Sequence, residues 1–255
     1  MLSERDLRHA LERIGADAPV RFDEVTRSTQ LTALGMAEAG APEWTLVAAG
    51  HQAEGRGRLG REWVDEPGRA LLFSVVLRPE LAASRGGLIT LLAGWAAVTA
   101  CRQVAGADAW CKWPNDVLVG GAKAGGILAE SRVVGGRFEH VVLGVGLNVG
   151  AAPPGVPGSA AIGDADSAAT LEAFLEAFVS RYAPADPAFP NGVVGTYREV
   201  CETLGRRVRA VTSGSRTVDG EAVDLDEDGG LVLRTNAGLE TVRFGEVEHL
   251  GGQRG

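Results

Sequence analysis

Between residues 55 and 63 the chain reads GRGRLGREW, with three arginines (Arg56, Arg58 and Arg61) and three glycines in its first seven positions. Arginine carries a planar fork of donors that matches carboxylates and phosphates. Glycine allows positive φ and close approach of a ligand to the backbone. Together they describe a loop that holds an anion, and a solvated turn with incidental arginines has the same composition. Four further polar or glycine-rich stretches lie in the first 150 residues: STQ (28–30), KWPNDV (112–117), KAGGILAE (123–130) and GVGLNV (144–149). Singly each is a weak signal, because Gly-Gly usually marks a hairpin and a lone lysine is usually solvated. Their succession at the ends of candidate strands is a stronger one.

The elements that must position these residues are readable from pattern. The charged start, MLSERDLRHALERIG, reads as a helix and VRFDEV (20–25) as a strand. Ser28 and Thr29 fall where a helix N-cap belongs, ahead of a short helix, LTALGMAEAG, that ends at Gly40. TLVAAG (45–50) is a buried strand that runs into the arginine loop, and ALLFSVVLRP (70–79) is another, stopped by Pro79. GGLITLLAGWAAVTACRQVAG (86–106) reads as a buried helix. The run from 117 to 149 gives three strands joined by Gly-Gly turns at 120–121 and 135–136. Residues 151–169, rich in proline and glycine, are an irregular loop. Apolar residues at 171, 174, 175, 178 and 179 mark a helical stripe, and a further helix is expected over 192–203. From Gly205 four short strand-like segments, RRVRAVTSG, TVDGEAVDLDEDG, GLVLRTNAG and LETVRFGEVEHL, alternate with turn clusters. The expected fold class is α+β: a mixed, largely antiparallel sheet flanked by helices over 1–203, then a small β-barrel over 204–255.

Composition excludes several functions. The chain has 255 residues and a formal net charge of −8, which argues against broad nucleic-acid binding while leaving room for a local basic pocket. No uninterrupted apolar run reaches the ~18 residues of a membrane span, and no secretory apolar region opens the chain. Cys101, Cys111 and Cys201 form no CxxC pair, which fits a reducing cytoplasm better than a disulfide framework or a zinc site.

The GRGRxGRxW, KWPND and KxGGILxE stretches together make the chain resemble the biotin–protein ligases, or biotin–[acetyl-CoA-carboxylase] ligases, over nearly its whole length. The resemblance implies a catalytic domain of the biotin ligase and class II aminoacyl-tRNA synthetase type with an SH3-like C-terminal barrel. It also implies activation of biotin by ATP to biotinyl-5′-AMP with release of pyrophosphate. Biotin then passes to a lysine of a biotin carboxyl carrier domain of acetyl-CoA carboxylase or a related carboxylase. Attack of a carboxylate on a polyanion needs fixed cations, and the mixed anhydride must be kept from water until the acceptor docks. An arginine-dense glycine loop that closes over the adenylate meets both needs.

Residue by residue, the resemblance implies biotin contacts from Ser28, Thr29, Gln30, Gln52, Arg56, Gly57, Arg58, Lys123 and Gly125. At Gln30 the family usually has asparagine, a departure that adds one methylene. ATP and adenylate contacts are implied for Arg56, Arg58, Arg61, Trp63, Lys112, Asn115, Asp116, Lys123 and Asn148. Lys123, Arg58 and Arg56 carry the catalytic roles, with the Lys123 ammonium between the biotin carboxylate and the α-phosphate. Arg61 either binds phosphate or anchors the loop, and Trp63 either packs near the nucleotide or pins the loop to the body. Asn115 and Asp116 either orient phosphates and a Mg²⁺ ion, for which Asp116 is the candidate ligand, or shape their turn.

Lipoate and octanoate ligases or transferases share the fold, but the arginine pair with a triple-glycine run and histidine expected of them is not present. A biotin-responsive repressor needs about 60 residues of DNA-binding domain, and only 27 residues precede Ser28. Neither DNA nor membrane is therefore expected as a partner, and monomer and homodimer are both compatible with the sequence. The loops 53–64 and 151–167 are expected to order on the ligand, the arginines lacking partners until phosphate arrives.

Overall fold

The computed structural model describes residues 2–212, 216–243 and 245–250. Helix α1 (Glu4–Arg13) starts at Ser3, whose side chain and that of Asp6 form a reciprocal capping box. Then come β1 (Val20–Asp23), α2 (Thr29–Glu38), β2 (Leu46–Ala49), β3 (Ala70–Leu77), α3 (Gly87–Ala105), β4 (Ala109–Lys112) and β5 (Asp116–Val119). The long hairpin β6 (Ala122–Val134) and β7 (Arg137–Asn148) follows, then α4 (Ser167–Arg181) and α5 (Phe189–Val200).

The seven strands form one sheet in the order β1-β2-β3-β7-β6-β5-β4. Only β1 and β2 run parallel; the other pairs are antiparallel, as the alternating patterns and Gly-Gly turns predict. All eight positions of β3 are buried, because the sheet is covered on both faces. On one face lie α3 and α4, with α1 on α4 and α5 on α3. The other carries α2 alone, over Ala33, Ala37, Val47, Val76 and Val142. The segment Ala83–Ala105 is long and apolar enough to cross a membrane. Here its helix α3 is packed against α4, α5 and three strands of the sheet.

The second sheet contains β8 (Arg207–Thr212), β9 (Thr217–Leu225), β10 (Leu231–Thr235), β11 (Gly238–Val242) and β12 (Gly245–His249), in the order β11-β10-β9-β8-β12. It matches the antiparallel SH3-like barrel implied by the resemblance, with its apolar positions alternating inward. Within 204–255, residues 213–215, 244 and 251–255 lie outside the described residues.

Two expectations change, and one strand was not expected. The helix placed at 192–203 spans Phe189–Val200, because Pro190 suits a helix's first turn. Residues 202 and 203 instead bond to the body, Glu202 N to Cys111 O at 2.8 Å and Thr203 Oγ1 accepting Trp113 N at 3.0 Å. The segment LETVRFGEVEHL is two strands, since β12 must return to pair with β8. Strand β4 had no expectation at all: four residues are too few for a periodic signal.

Candidate active site

A cleft of about 940 Å³, open to solvent, lies on the α2 face of the sheet beyond the end of that helix. Along β7 the sequence alternates Gly144, Val145, Gly146, Leu147, so the branched residues enter the core and the glycines face the cleft. Gly146 is paired with Gly126 of β6, and the Trp63 indole lies over both. A Cβ on Gly146 would stand 2.8 Å from Trp63 Cε2, so only glycine leaves room for the ring.

The cleft floor is polar and neutral. Ser28, Thr29, Gln30 and Ser74 are buried and line it, together with Gln52. Thr29 donates from its backbone N to Gln52 Oε1 at 2.8 Å and from Oγ1 to the same oxygen at 3.1 Å. Thr29 Oγ1 is also 2.9 Å from Ser74 Oγ, which donates to Gln30 Oε1 at 3.2 Å. Gln30 Nε2 in turn donates to Val142 O at 3.0 Å, so the longer side chain at this position is fully engaged with the sheet. Ser28 occupies the N-cap position of α2, but its hydroxyl makes no capping bond. The expected N-cap therefore holds for the position of Ser28 but not for its side chain: Gln52 Oε1 accepts the Thr29 amide, and Ser28 Oγ is buried without a partner among the described residues. Trp63 Nε1 is in the same condition. A buried polar atom without a partner in a cleft wall is poised to bond a ligand.

The arginine loop is the roof, and it folds as a short hairpin. Gly57 N bonds to Arg61 O at 2.8 Å, Trp63 N to Gly55 O at 3.0 Å, and Arg56 pairs with Glu62 across it. The arginines do have partners, contrary to expectation. Arg56 reaches Glu130 of β6 at 3.4 Å, and Arg61 forms an ion pair with Glu246 of β12. Arg58 donates to Asn115 Oδ1 at 2.8 Å and to Gly245 O at 3.2 Å. Burial lowers the Arg58 pKa, while Glu246 and Asp116 oppose that shift. The guanidinium stays charged all the same. The missed partners lie 74 and 185 positions from their arginines, too far for any local pattern to announce them.

At the far wall, Lys123 Nζ is 2.6 Å from Asp116 Oδ1 and 6.0 Å from the centre of the Trp63 ring. The Lys123 side chain is 43% exposed, so its ammonium is available to an incoming anion. Asn115 does two jobs: its Nδ2 donates to Ile127 O at 3.0 Å while its Oδ1 holds Arg58. Lys112 and the cis Trp113–Pro114 segment complete this wall. Gly125 is one residue off the lining: its Cβ position falls 2.4 Å from Leu147 Cδ2, on the core side. Asn148 does not line the cleft either; its Nδ2 donates to Ala160 O at 2.8 Å and so fastens the loop after β7. That loop reaches back to Lys123, whose backbone N donates to Gly158 O and whose O accepts Ala160 N.

Sequence reasoning missed Ser74, Glu130 and Glu246. Ser74 had a readable signal, the one polar residue in an otherwise apolar strand, ALLFSVVL. Glu130 closes the KxGGILxE stretch and had that signal, whereas Glu246 had none, since exposed acids are common on any surface.

Two family models match the chain. One described as the biotin/lipoate A/B protein ligase family matches residues 22–148, and one described as the biotin protein ligase C terminal domain matches residues 203–250. The chain is 37% identical to the biotin--[acetyl-CoA-carboxylase] ligase of Mycobacterium tuberculosis (strain ATCC 25618 / H37Rv), over 98% of this chain and 96% of that one. It is 32% identical to the bifunctional ligase/repressor BirA of Bacillus subtilis (strain 168), over 97% of this chain and 79% of that relative. Among solved structures, the biotin protein ligase from Aquifex aeolicus in complex with biotin and ATP has the same fold, with a TM-score of 0.73 at 24% identity. That match covers 90% of this chain and 97% of the other.

Proposed function

The chain belongs to the biotin–protein ligases, and from that premise we propose that its cleft forms biotinyl-5′-AMP and then biotinylates a carrier lysine. It is a ligase that makes an amide bond. The observation that carries the finer reading is one cleft with three different walls: a neutral hydrogen-bonding floor, a lysine braced by a carboxylate, and an arginine hairpin above.

The ureido head of biotin suits the floor. Ser28 Oγ, unpartnered and buried, and the Thr29–Gln52 pair offer short donors and acceptors for a flat urea. The tail then runs past the edge of the Trp63 indole, with its carboxylate toward Lys123. In the first step a carboxylate oxygen attacks the α-phosphorus of ATP. The new O–P bond forms as the bond to the β-phosphate oxygen breaks, and pyrophosphate leaves. Lys123 Nζ screens the two approaching anions, and Asp116 holds that ammonium in place until they arrive. Arg58 and Arg56 hold the phosphate of the adenylate. In the second step a neutral lysine amine attacks the acyl carbon, the C–O bond to AMP breaks, and the nitrogen loses its proton. The closed hairpin excludes water between the two steps.

Magnesium fits this site as a companion of the nucleotide. Among the described residues no three His, Cys, Asp or Glu side chains gather as a metal site. Asp116 supplies a single hard carboxylate at the cleft wall, which matches an ion that takes one or two carboxylates and finds its other oxygens on phosphate and water. When bound, the ion would neutralise phosphate charge.

The acceptor is an exposed lysine of a carboxylase carrier domain. The deciding experiment is ATP–pyrophosphate exchange with biotin, lipoate or octanoate in turn, followed by label transfer to a carrier fragment. Exchange with biotin alone and labelling of the carrier are expected. Exchange driven by lipoate or octanoate would overturn the assignment in favour of the related acyl ligases.

A further inference from the structure

The arginine hairpin leaves the body of the domain through a narrow neck, and a buried aspartate stands in it. Asp65 follows the outgoing limb, and its side chain is fully enclosed. Its Oδ2 is 2.8 Å from His51 Nδ1, and its Oδ1 accepts the backbone N of Gln52 at 3.3 Å. A carboxylate accepts, so His51 Nδ1 is the donor of that pair. His51 and Gln52 belong to the incoming limb, and one carboxyl therefore ties the two limbs together. Gln52 is also bridged to Thr26, and Ala53 N donates to Thr26 O at 2.9 Å, so this limb is registered against the segment that leads into Ser28.

From Gln52 the hydrogen bonds continue inward. Its Oε1 takes both donors of Thr29, and Thr29 Oγ1 is within bonding distance of Ser74, which reaches Gln30. A carboxyl is costly to bury, and a neutral residue would fill the neck without that cost. What the carboxyl adds is a pair of acceptors aimed at two successive residues of the facing limb. Gln52 and Thr29 line the cleft whereas Asp65 and His51 do not.

We propose that Asp65 is a positioning residue for biotin recognition: it sets Gln52, and through Gln52 sets Thr29, with the same bonds that close the neck of the arginine hairpin. This rests on the ligase reading above. A change in the hairpin neck would then be felt as a change in the floor, although Asp65 never touches the substrate.

The test is calorimetric titration of the full chain with biotin and, separately, with ATP. A wild-type protein that fails to bind biotin would overturn the ligase reading and this proposal with it; one that binds biotin isolates the proposal. Asp65→Asn is expected to weaken biotin about tenfold while leaving ATP within about twofold. In a Gln52→Ala background the same change should add less than about twofold, because the group through which Asp65 acts is gone. Equal weakening of both ligands, additive losses in the double variant, or a lowered Tm with unchanged biotin affinity would each refute it. Should Asp65→Asn not fold, His51→Ala decides, since it strips one donor from the carboxyl and keeps the Gln52 bond. It should weaken biotin about threefold, and unchanged affinity would overturn the proposal.

Discussion

On the floor of the cleft, Ser28, Thr29, Gln30 and Ser74 carry no charge, are buried, and are joined by short hydrogen bonds, Ser28 Oγ excepted. In the roof, Arg56 and Arg61 are 42% and 67% exposed, and each is paired with an acid from a different part of the molecule. The two surfaces face the same cleft yet obey different physics. Hydrogen bonds inside the protein are shielded from salt and lose heavily when one partner is removed. Exposed ion pairs are worth little, are screened by salt, and exchange readily for a better anion. A floor of the first kind discriminates shape. A roof of the second kind opens, closes and holds charge. Glu130 and Glu246 tether the hairpin to the body through exposed pairs of this second kind.

The strongest challenge to this division falls on Lys123, which stands between the two surfaces. Lys123→Gln is expected to lower the rate of adenylate formation about 10²–10³-fold. Preformed biotinyl-AMP should restore part of the transfer to carrier, because the second step no longer opposes two anions. Pyrophosphate exchange at the wild-type rate would remove Lys123 from the reacting centre.

Next in size is the roof. Arg58→Gly should leave adenylate synthesis measurable but release the intermediate about 10–100 times faster, the loss of one charge-assisted contact. Released adenylate would then label unrelated lysine-rich proteins. Higher ionic strength should push the wild type in the same direction. Slow release and clean carrier labelling by the variant would show that the arginine does not retain the intermediate.

The smallest effect is expected on the floor. Thr29→Val keeps the volume, removes the hydroxyl that links Gln52 to Ser74, and should weaken biotin by about tenfold. Equilibrium dialysis should find that loss independent of salt. A loss that grows or shrinks with ionic strength would erase the contrast between floor and roof.

Much of this was legible beforehand. The three strands between Gly-Gly turns, the buried helix α3 and the stripe of α4 follow from period and punctuation, which are local properties. The motifs placed Ser28, Gln52, Arg58, Trp63, Lys112, Asn115, Asp116 and Lys123 on one cleft. What stayed hidden is long-range. Glu246 acquires a role only when β12 folds back beside β8 and brings the barrel rim to the hairpin. Gly125 belonged to the right motif but fell on the core side of its strand, whereas Asn148 shares the face of Gly144 and Gly146 and is taken up by the loop after β7. A pleated strand reverses its face at each residue, and the register shift between Val117 and Leu118 changes which residues β6 turns to the cleft.

The contact between Gln30 and Gly144 constrains the order in which this site can change over descent. A Cβ on residue 144 would come within 2.5 Å of Gln30 Oε1, although the two positions lie 114 apart in the chain. An alanine at 144 is met either by swinging the Gln30 amide aside, which breaks its bonds to Val142 and Ser74, or by shortening residue 30 first. The reverse order costs the cleft floor those two hydrogen bonds on the way. The two positions trade volume across the floor, and the sequence of steps, not only their sum, decides whether a descendant keeps its site.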